Sequence, residues 1–264
     1  MDPLKEFASS VAIIVSSCDA FFDVWRPFAF FFRKHWERCP LPVFLLTNAL
    51  RVESTTLQPL AVGPDRGWST NLRIALEKIS APYVLYMQED YFLTAPVDAR
   101  HLADDFRAMI GLNADSLCFR ARTHIEPQFQ PLNDRFGIVP VESDGRTRAQ
   151  VTLWKSDSLR RILHDGESAW HMERAGSPRT ADMQILSYMR RDTSPVQYLM
   201  SAIVRGLWTH EAINLCRENA VEIAPLFRGI YSERPALRRW RRWQTRRRAT
   251  GAIEQQRDQV LQLD

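Results

Sequence analysis

The stretch Ala81–Leu93, APYVLYMQEDYFL, limits what this chain can fold into more than any other. Pro82 introduces a continuous apolar run, Tyr83 to Met87, and a β-prone run without polar alternation suits a strand covered on both faces by helices. Gln88, Glu89 and Asp90 follow where that strand should end. In an open α/β sheet the carboxyl edge of the strands is where ligands bind, so the acidic pair marks that edge as the place to look for chemistry. Two acids that merely solvate a strand end would look the same in isolation, and the surrounding segments decide between the readings.

Those segments alternate. Val11–Val15 is a β-branched run closed by Ser16, Ser17, Cys18 and Asp19. Phe21, Trp25, Phe28, Phe32 and Trp36 then recur at three-to-four spacing, which predicts an amphipathic helix with Pro27 near its first turns. Pro42–Asn48 reads as a second buried strand, and a helix-length crossover between strands implies parallel pairing. The cluster Gly63 to Gly67 predicts a turn, with Trp68 next and a helix N-cap expected at Ser69 or Thr70. Leu72, Ala75, Leu76 and Ile79 supply that helix's buried face, so the acidic strand closes a second β–α–β unit.

Beyond it the spacing predicts a helix over Ala99–Ile110, a short strand over Ser116–Arg120, and a loop-rich stretch from Thr123 to Arg148, long enough to shape a site. Gln150–Lys155 reads as a strand, and Ser156 or Asp157 caps a short helix to Leu163. A helix over Ala181–Arg190 and a last strand-like segment over Tyr198–Trp208 complete the expected core.

Length fits one large domain, expected at residues 1–230, with an Arg/Trp-rich tail over 231–264. The formal charge of +4 is unevenly placed, because Arg234–Arg248 holds eight arginines and no acid, which leaves the body slightly acidic. Cys18, Cys39, Cys118 and Cys216 are far apart and lack zinc-ligand spacing, so they read as buried thiols in a reducing compartment. The opening MDPLKEFASS has no secretory pattern, and Phe28–Phe32 is too short to span a bilayer. The expectation is a cytoplasmic chain.

The order of these segments, Val11–Asp19, Gly67-Trp68-Ser69 opening a helix, Tyr83–Phe92 with Gln88-Glu89-Asp90, Gln150–Lys155, and Trp170-His171-Met172-Glu173, resembles a bacterial GT-A-type nucleotide-sugar glycosyltransferase of surface polysaccharide biosynthesis, across Val11 to Trp208. The resemblance implies a GT-A-like, Rossmann-related α/β fold with a mostly parallel central sheet and helices on both faces. It implies a nucleotide-sugar donor gripped near Ser16, Ser17 and Asp19, with Trp68 and Ser69 at a helix start where free amides favour anions. The family's Asp-x-Asp motif holds a divalent cation, Mn²⁺ or Mg²⁺, against the donor diphosphate. Here Asp90 keeps the second acid, Gln88 stands in place of the first, and the metal requirement is left open. Glu89 is assigned to the donor side, as a contact or as the partner of a basic neighbour or a backbone amide.

An inverting transfer needs a base for the acceptor hydroxyl, and Glu173 is the candidate, with Trp170 offering a flat face to an acceptor sugar. A surface pairing of Glu173 with Arg174 or Arg179 is the alternative. His124, His171 and His210 read as structural, and Asp182 as a helix-start acid. In the tail, Trp240 and Trp243 share a helical face ringed by arginines, the composition of an interfacial attachment to an anionic inner leaflet, close to a glycan or lipid-linked acceptor. Two other classes stay open: a metal-dependent nucleotidyltransferase or phosphodiesterase built on Glu89 and Asp90, and a nucleic-acid-binding protein using the basic tail, disfavoured because no nucleic-acid module is visible in the body.

Overall fold

A computed structural model describes residues 2–121 and 129–264; His124 lies outside the described residues. In chain order the elements are β1 (Val11–Ser16), α1 (Phe22–His35), β2 (Val43–Thr47), β3 (Arg51–Glu53), β4 (Gln58–Ala61), α2 (Trp68–Lys78), β5 (Tyr83–Gln88), α3 (Ala99–Gly111) and β6 (Ser116–Cys118). They continue with β7 (Gln130–Pro131), β8 (Phe136–Ile138), β9 (Thr152–Lys155), α4 (Ser156–Ile162), α5 (Ala169–Ala175) and β10 (Ile185–Tyr188). A hairpin of β11 (Ile203–Val204) and β12 (Leu207–Trp208) precedes α6 (His210–Glu218), α7 (Pro225–Arg228), α8 (Pro235–Gln256) and β13 (Val260–Gln262).

The central sheet has the order β4-β2-β1-β5-β9-β6-β10-β8-β7. Strands β4, β2, β1 and β5 pair in parallel, β9 runs antiparallel between β5 and β6, and β10 returns parallel to β6. The expected mostly parallel α/β sheet is present, with β9 and β8 as its reversed members. Alternation along the strands divides the core in two. Val11, Ile13 and Val15 of β1 and Leu85 and Met87 of β5 join the cluster under α1 and α3, while Ala12, Ile14, Val84 and Tyr86 face α2 and α4. Strands β1 and β5 are therefore buried on both faces, which is why each reads as a continuous apolar run rather than an alternating one.

Three expectations are corrected. The helix expected over Ala181–Arg190 is the strand β10: Ile185, Leu186, Ser187 and Tyr188 are all buried between β6 and β8, and a segment with both faces covered has no polar face for a helix to turn outward. The N-cap of α2 is Gly67 at φ 89°, not Ser69 or Thr70, which lie inside the first turn; the Asp65 carboxylate, accepting from the Gly67 N–H and the Asn71 amide, shapes the entry. The stretch from Thr123 to Arg148 contains β7 and β8 among its described residues.

The C-terminal segment folds onto the body. Strand β13 pairs in parallel with β3, Leu263 is buried, and Asp264 accepts from the Thr55 amide and pairs with Arg33. Thr245 and Ala249 of α8 are buried, and the Thr245 hydroxyl donates to the Arg228 carbonyl. Among the described residues no helix is long and apolar enough to cross a membrane.

Candidate active site at the carboxyl edge

Strands β1 and β5 run in register to a common edge, where Ser16 stands opposite Gln88. The chain turns directly after β5, with the Tyr91 amide returning to the Gln88 carbonyl at 3.1 Å, and this turn separates the two acids. Asp90 is fastened to the hairpin region: its carbonyl accepts from the Ala202 amide at 2.9 Å and its Oδ2 from the Ile203 amide at 3.2 Å. Its Oδ1 is buried with no partner. Burial pushes the Asp90 carboxyl up to about 7. Glu89 is equally buried and rises well above the usual carboxylate range, first through burial and then through the Asp90 charge, with the Arg228 guanidinium opposing the rise.

Arg228 explains that opposition. It is buried in a pair with Asp23 of α1 and also donates to the Ala20 carbonyl at 2.6 Å. Its guanidinium lies over the Phe21 ring, 4.6 Å from the centroid. The Arg228 charge acts on both acids, and of the two only Asp90 lines the cleft beside this edge.

That cleft, about 500 Å³, is lined by Gln88, Asp90, Tyr91, residues 147–150, Trp170, Glu173 and Met200, among others. Its floor is tied together at one carbonyl: Ala149 O accepts from Gln88 Nε2 at 3.0 Å and from the Tyr91 hydroxyl at 2.5 Å. The Ala149 amide donates to Glu173 Oε1 at 2.9 Å, so the proposed base and the strand end are joined through a single residue. Helix α5 starts from an N-cap at Ser168, whose hydroxyl accepts from the His171 amide, and presents Ala169, Trp170 and Glu173 to the cleft. Gly176 closes the helix where a Cβ would lie 2.5 Å from the Met172 carbonyl and 2.8 Å from Thr147 Oγ1, so only glycine lets α5 pack this closely on the 147–150 wall. Buried Arg146 fixes the other side of that wall through the Val139, Thr180 and Met183 carbonyls. Trp170 is 68% exposed at the mouth, an indole face with no core role.

The β1 end is built differently. Asp19 Oδ1 accepts from the Asn48 amide at 2.7 Å, and Oδ2 accepts from Ala49 and Leu50 at 2.7 and 2.9 Å, so this carboxylate holds the loop after β2. Ser17 Oγ accepts from Trp25 Nε1 at 2.7 Å. Ser16 is buried beside the Tyr86 hydroxyl, which also receives Trp68 Nε1 at 2.9 Å. The Ser69 amide donates to the Glu167 carbonyl, and its buried hydroxyl has no partner. Ser16, Trp68 and Gln88 thus meet around Tyr86, and of these only Gln88 lines the cleft with Asp90, while Asp19 is engaged in the scaffold. Cys18 sits in the field of Asp65 and Glu89, and burial raises its thiol first. His171 is exposed on α5, and His210 opens α6 away from the cleft lining.

Toward a divalent cation this edge offers one oxygen among the described residues. Asp90 Oδ1 is a hard oxygen left without a partner, the chemistry such an ion takes. Gln88 directs its amide nitrogen to Ala149, and among the described residues no group of three or more His, Cys, Asp or Glu is placed to hold a metal. Sequence reasoning missed Tyr91, Ala149 and the Arg228–Asp23 pair. The first two act through a ring hydroxyl and a backbone carbonyl without a motif; the pair joins residues 205 positions apart.

No protein-family model and no curated protein sequence matches the chain. Among solved structures it is similar to residues 1–349 of S. aureus TarS, at 12% identity and a TM-score of 0.50, over 92% of this chain and 72% of that one. Against the longer TarS structure the TM-score is 0.47, and the chain spans 36% of that protein's length. A UDP-glucose pyrophosphorylase aligns over 72% of this chain with a TM-score of 0.48 and 7% identity. At these identities the likeness is one of fold: the chain has the GT-A-like, Rossmann-related α/β architecture expected from its sequence.

Proposed function

We propose that this protein is a glycosyltransferase that moves a sugar from a nucleotide-sugar donor to a hydroxyl of a glycan or lipid-linked acceptor in bacterial surface polysaccharide synthesis, with inversion at the transferred carbon. The observation that carries the reading is Asp90, buried at the carboxyl edge of β5 with Oδ1 unpartnered, lining the same cleft as Glu173 and the exposed Trp170. The fold shared with TarS supports it.

In this reading the acceptor hydroxyl approaches through the mouth, stacks its sugar on Trp170, and gives its proton to Glu173 as the oxygen attacks the donor sugar. The bond from that sugar to the donor phosphate breaks, and a nucleoside diphosphate departs. To the donor this reading assigns Ser16, Ser17, Trp68 and Ser69, with Asp19 and Glu89 supporting them. A divalent cation, Mn²⁺ or Mg²⁺, would be held by Asp90 Oδ1 and would neutralise charge on the leaving diphosphate. Glu173 is oriented by the Ala149 amide, so its carboxylate is set before substrate arrives. Trp240 and Trp243, 53% and 54% exposed on α8 among arginines, support a cytoplasmic protein held peripherally on the inner face of the plasma membrane.

The test is a panel of nucleotide sugars, read by thermal shift and by release of nucleoside diphosphate. One donor should stabilise the chain, and diphosphate release should require an acceptor glycan. Pyrophosphate release from a nucleoside triphosphate, with no sugar donor bound, would replace this reading with nucleotidyl transfer.

A further inference from the structure

A second cavity, about 340 Å³, lies between the β11–β12 hairpin, the segment after β1, and α8. Four of its nine lining residues are arginines: Arg205, Arg228, Arg242 and Arg246. The others are Ala20, Phe21, Gly206, Thr245 and Ala249, so among the described residues no carboxylate lines it. Arg228, at the base, is compensated by Asp23. The side chains of Arg205, Arg242 and Arg246 make no hydrogen bond or ion pair among the described residues. Three uncompensated guanidinium groups thus converge on an apolar floor of Phe21, Ala20 and Ala249.

The backbone adds an independent observation. Arg205 is the first residue of the two-residue turn joining β11 to β12 and has φ 53°, followed by Gly206 at φ 80°. Such turns favour Asn or Asp before glycine, and a long side chain with positive φ is held there against its own preference. The turn places Arg205 among the residues lining the cavity. The adjoining helix surface adds Arg239 and exposed Trp243 to Arg242 and Arg246.

We propose that this cavity binds the diphosphate of a lipid-linked acceptor. Guanidinium forks match phosphate oxygens two at a time, and several of them are best answered by a ligand with more than one negative charge. A diphosphate diester meets that need better than the singly charged phosphodiester of an ordinary phospholipid, and the apolar floor suits the first carbons of a lipid chain. The site also connects to chemistry, since the hairpin that carries Arg205 holds Asp90 through the Ile203 amide. This inference rests on the lipid-linked-acceptor reading above and adds the residues that would recognise it.

The test uses the full chain and binding readouts alone. Inorganic pyrophosphate titrated by calorimetry should bind the wild type, and R242Q/R246Q should lose at least about tenfold in affinity, the scale of one charge-assisted hydrogen bond. The charge-matched control R38Q/R100Q, on exposed arginines outside the cavity lining, should stay within about twofold. In vesicle flotation, phosphatidylcholine vesicles doped with polyprenyl diphosphate should recruit wild type more strongly than charge-matched phosphatidylglycerol vesicles, and only that preference should vanish in R242Q/R246Q. Absence of pyrophosphate binding, equal loss in both double variants, displacement of pyrophosphate by a nucleoside diphosphate, or equal recruitment to both vesicles would each overturn the proposal. Because none of these readouts needs turnover, a chain that binds pyrophosphate here but transfers no sugar overturns the activity and leaves the cavity standing.

Discussion

Asp19 and Asp90 follow neighbouring parallel strands, sit at the same sheet edge and are both nearly inaccessible, yet the fold uses them in opposite ways. Three backbone amides converge on Asp19, and the carboxylate locks the end of β1 to the loop after β2. Asp90 receives one amide on Oδ2 and nothing on Oδ1, and burial raises its carboxyl to about 7. Burial does not separate a structural acid from an available one. The number of donors left unmade does, because a desolvated oxygen without a partner is costly unless something else is meant to fill it.

The largest expected effect lies across the cleft from Asp90. Glu173→Gln should lower sugar transfer by about 10²–10⁴-fold, the usual contribution of a positioned base, while its melting temperature stays near that of the wild type. Single-turnover transfer from the donor found by the nucleotide-sugar panel measures it, and undiminished transfer removes Glu173 from the role of base. At the other end of the comparison, Asp19→Ala should cost about 3 kcal/mol of unfolding free energy, since three amides, one of them buried, lose a charged acceptor. Urea unfolding reads this directly. A stable Asp19→Ala protein that has lost donor binding would reverse the contrast and return Asp19 to the site.

Much of this edge was readable because β1, β2 and β5 are buried on both faces and announce themselves as unbroken apolar runs. Helix α1 was equally plain, its aromatics recurring at helical spacing. Strand β10 was not, because Met183, Leu186 and Met189 fall at a spacing of three that mimics a helix face, and only pairing with β6 and β8 decides the matter. Strand β13 depends wholly on β3, more than 200 residues earlier, which no local pattern reveals. Within the site, Asp90, Glu173 and Trp170 were legible as residue types in sequence, and the structure brings them to one cleft. The engagement of Asp19 by the 48–50 loop was not legible, since amides carry no sequence signature.

The next effect is smaller and depends on pH. Asp90 titrates near 7 in the fold and near the usual ~3.9 when unfolded, so between those values the folded protein holds a proton that the unfolded chain has released. Stability contributed by the neutral carboxyl is therefore present at low pH and lost as pH rises towards about 7, after which the curve flattens. Asp90→Asn removes this part of the slope, with the part from Glu89 remaining. With a chelator present, urea unfolding of the pair should show the variant gaining on the wild type by on the order of 1 kcal/mol per pH unit from pH 5 to 7. A constant difference across that range would place Asp90 among the fully paired acids, alongside Asp19.

The smallest effect concerns the mouth of the cleft. Trp170 is mostly exposed and packs into no core cluster, so Trp170→Ala should leave the melting temperature within a degree or two, in line with ordinary surface substitutions. Losing an aromatic face that a sugar ring covers should cost about 1 kcal/mol of acceptor binding, roughly a fivefold rise in acceptor KM, with donor KM unchanged. Trp170→Phe, which keeps a flat ring on the same α5 position, should recover most of it. In the proposed reading this split between the two substrates separates the Ser16–Trp68 side, assigned to the donor, from the α5 side, assigned to the acceptor sugar. A rise in donor KM with acceptor KM untouched would mean that the two substrates lie the other way round, with the donor entering past α5 and Glu173 facing its sugar rather than the attacking hydroxyl.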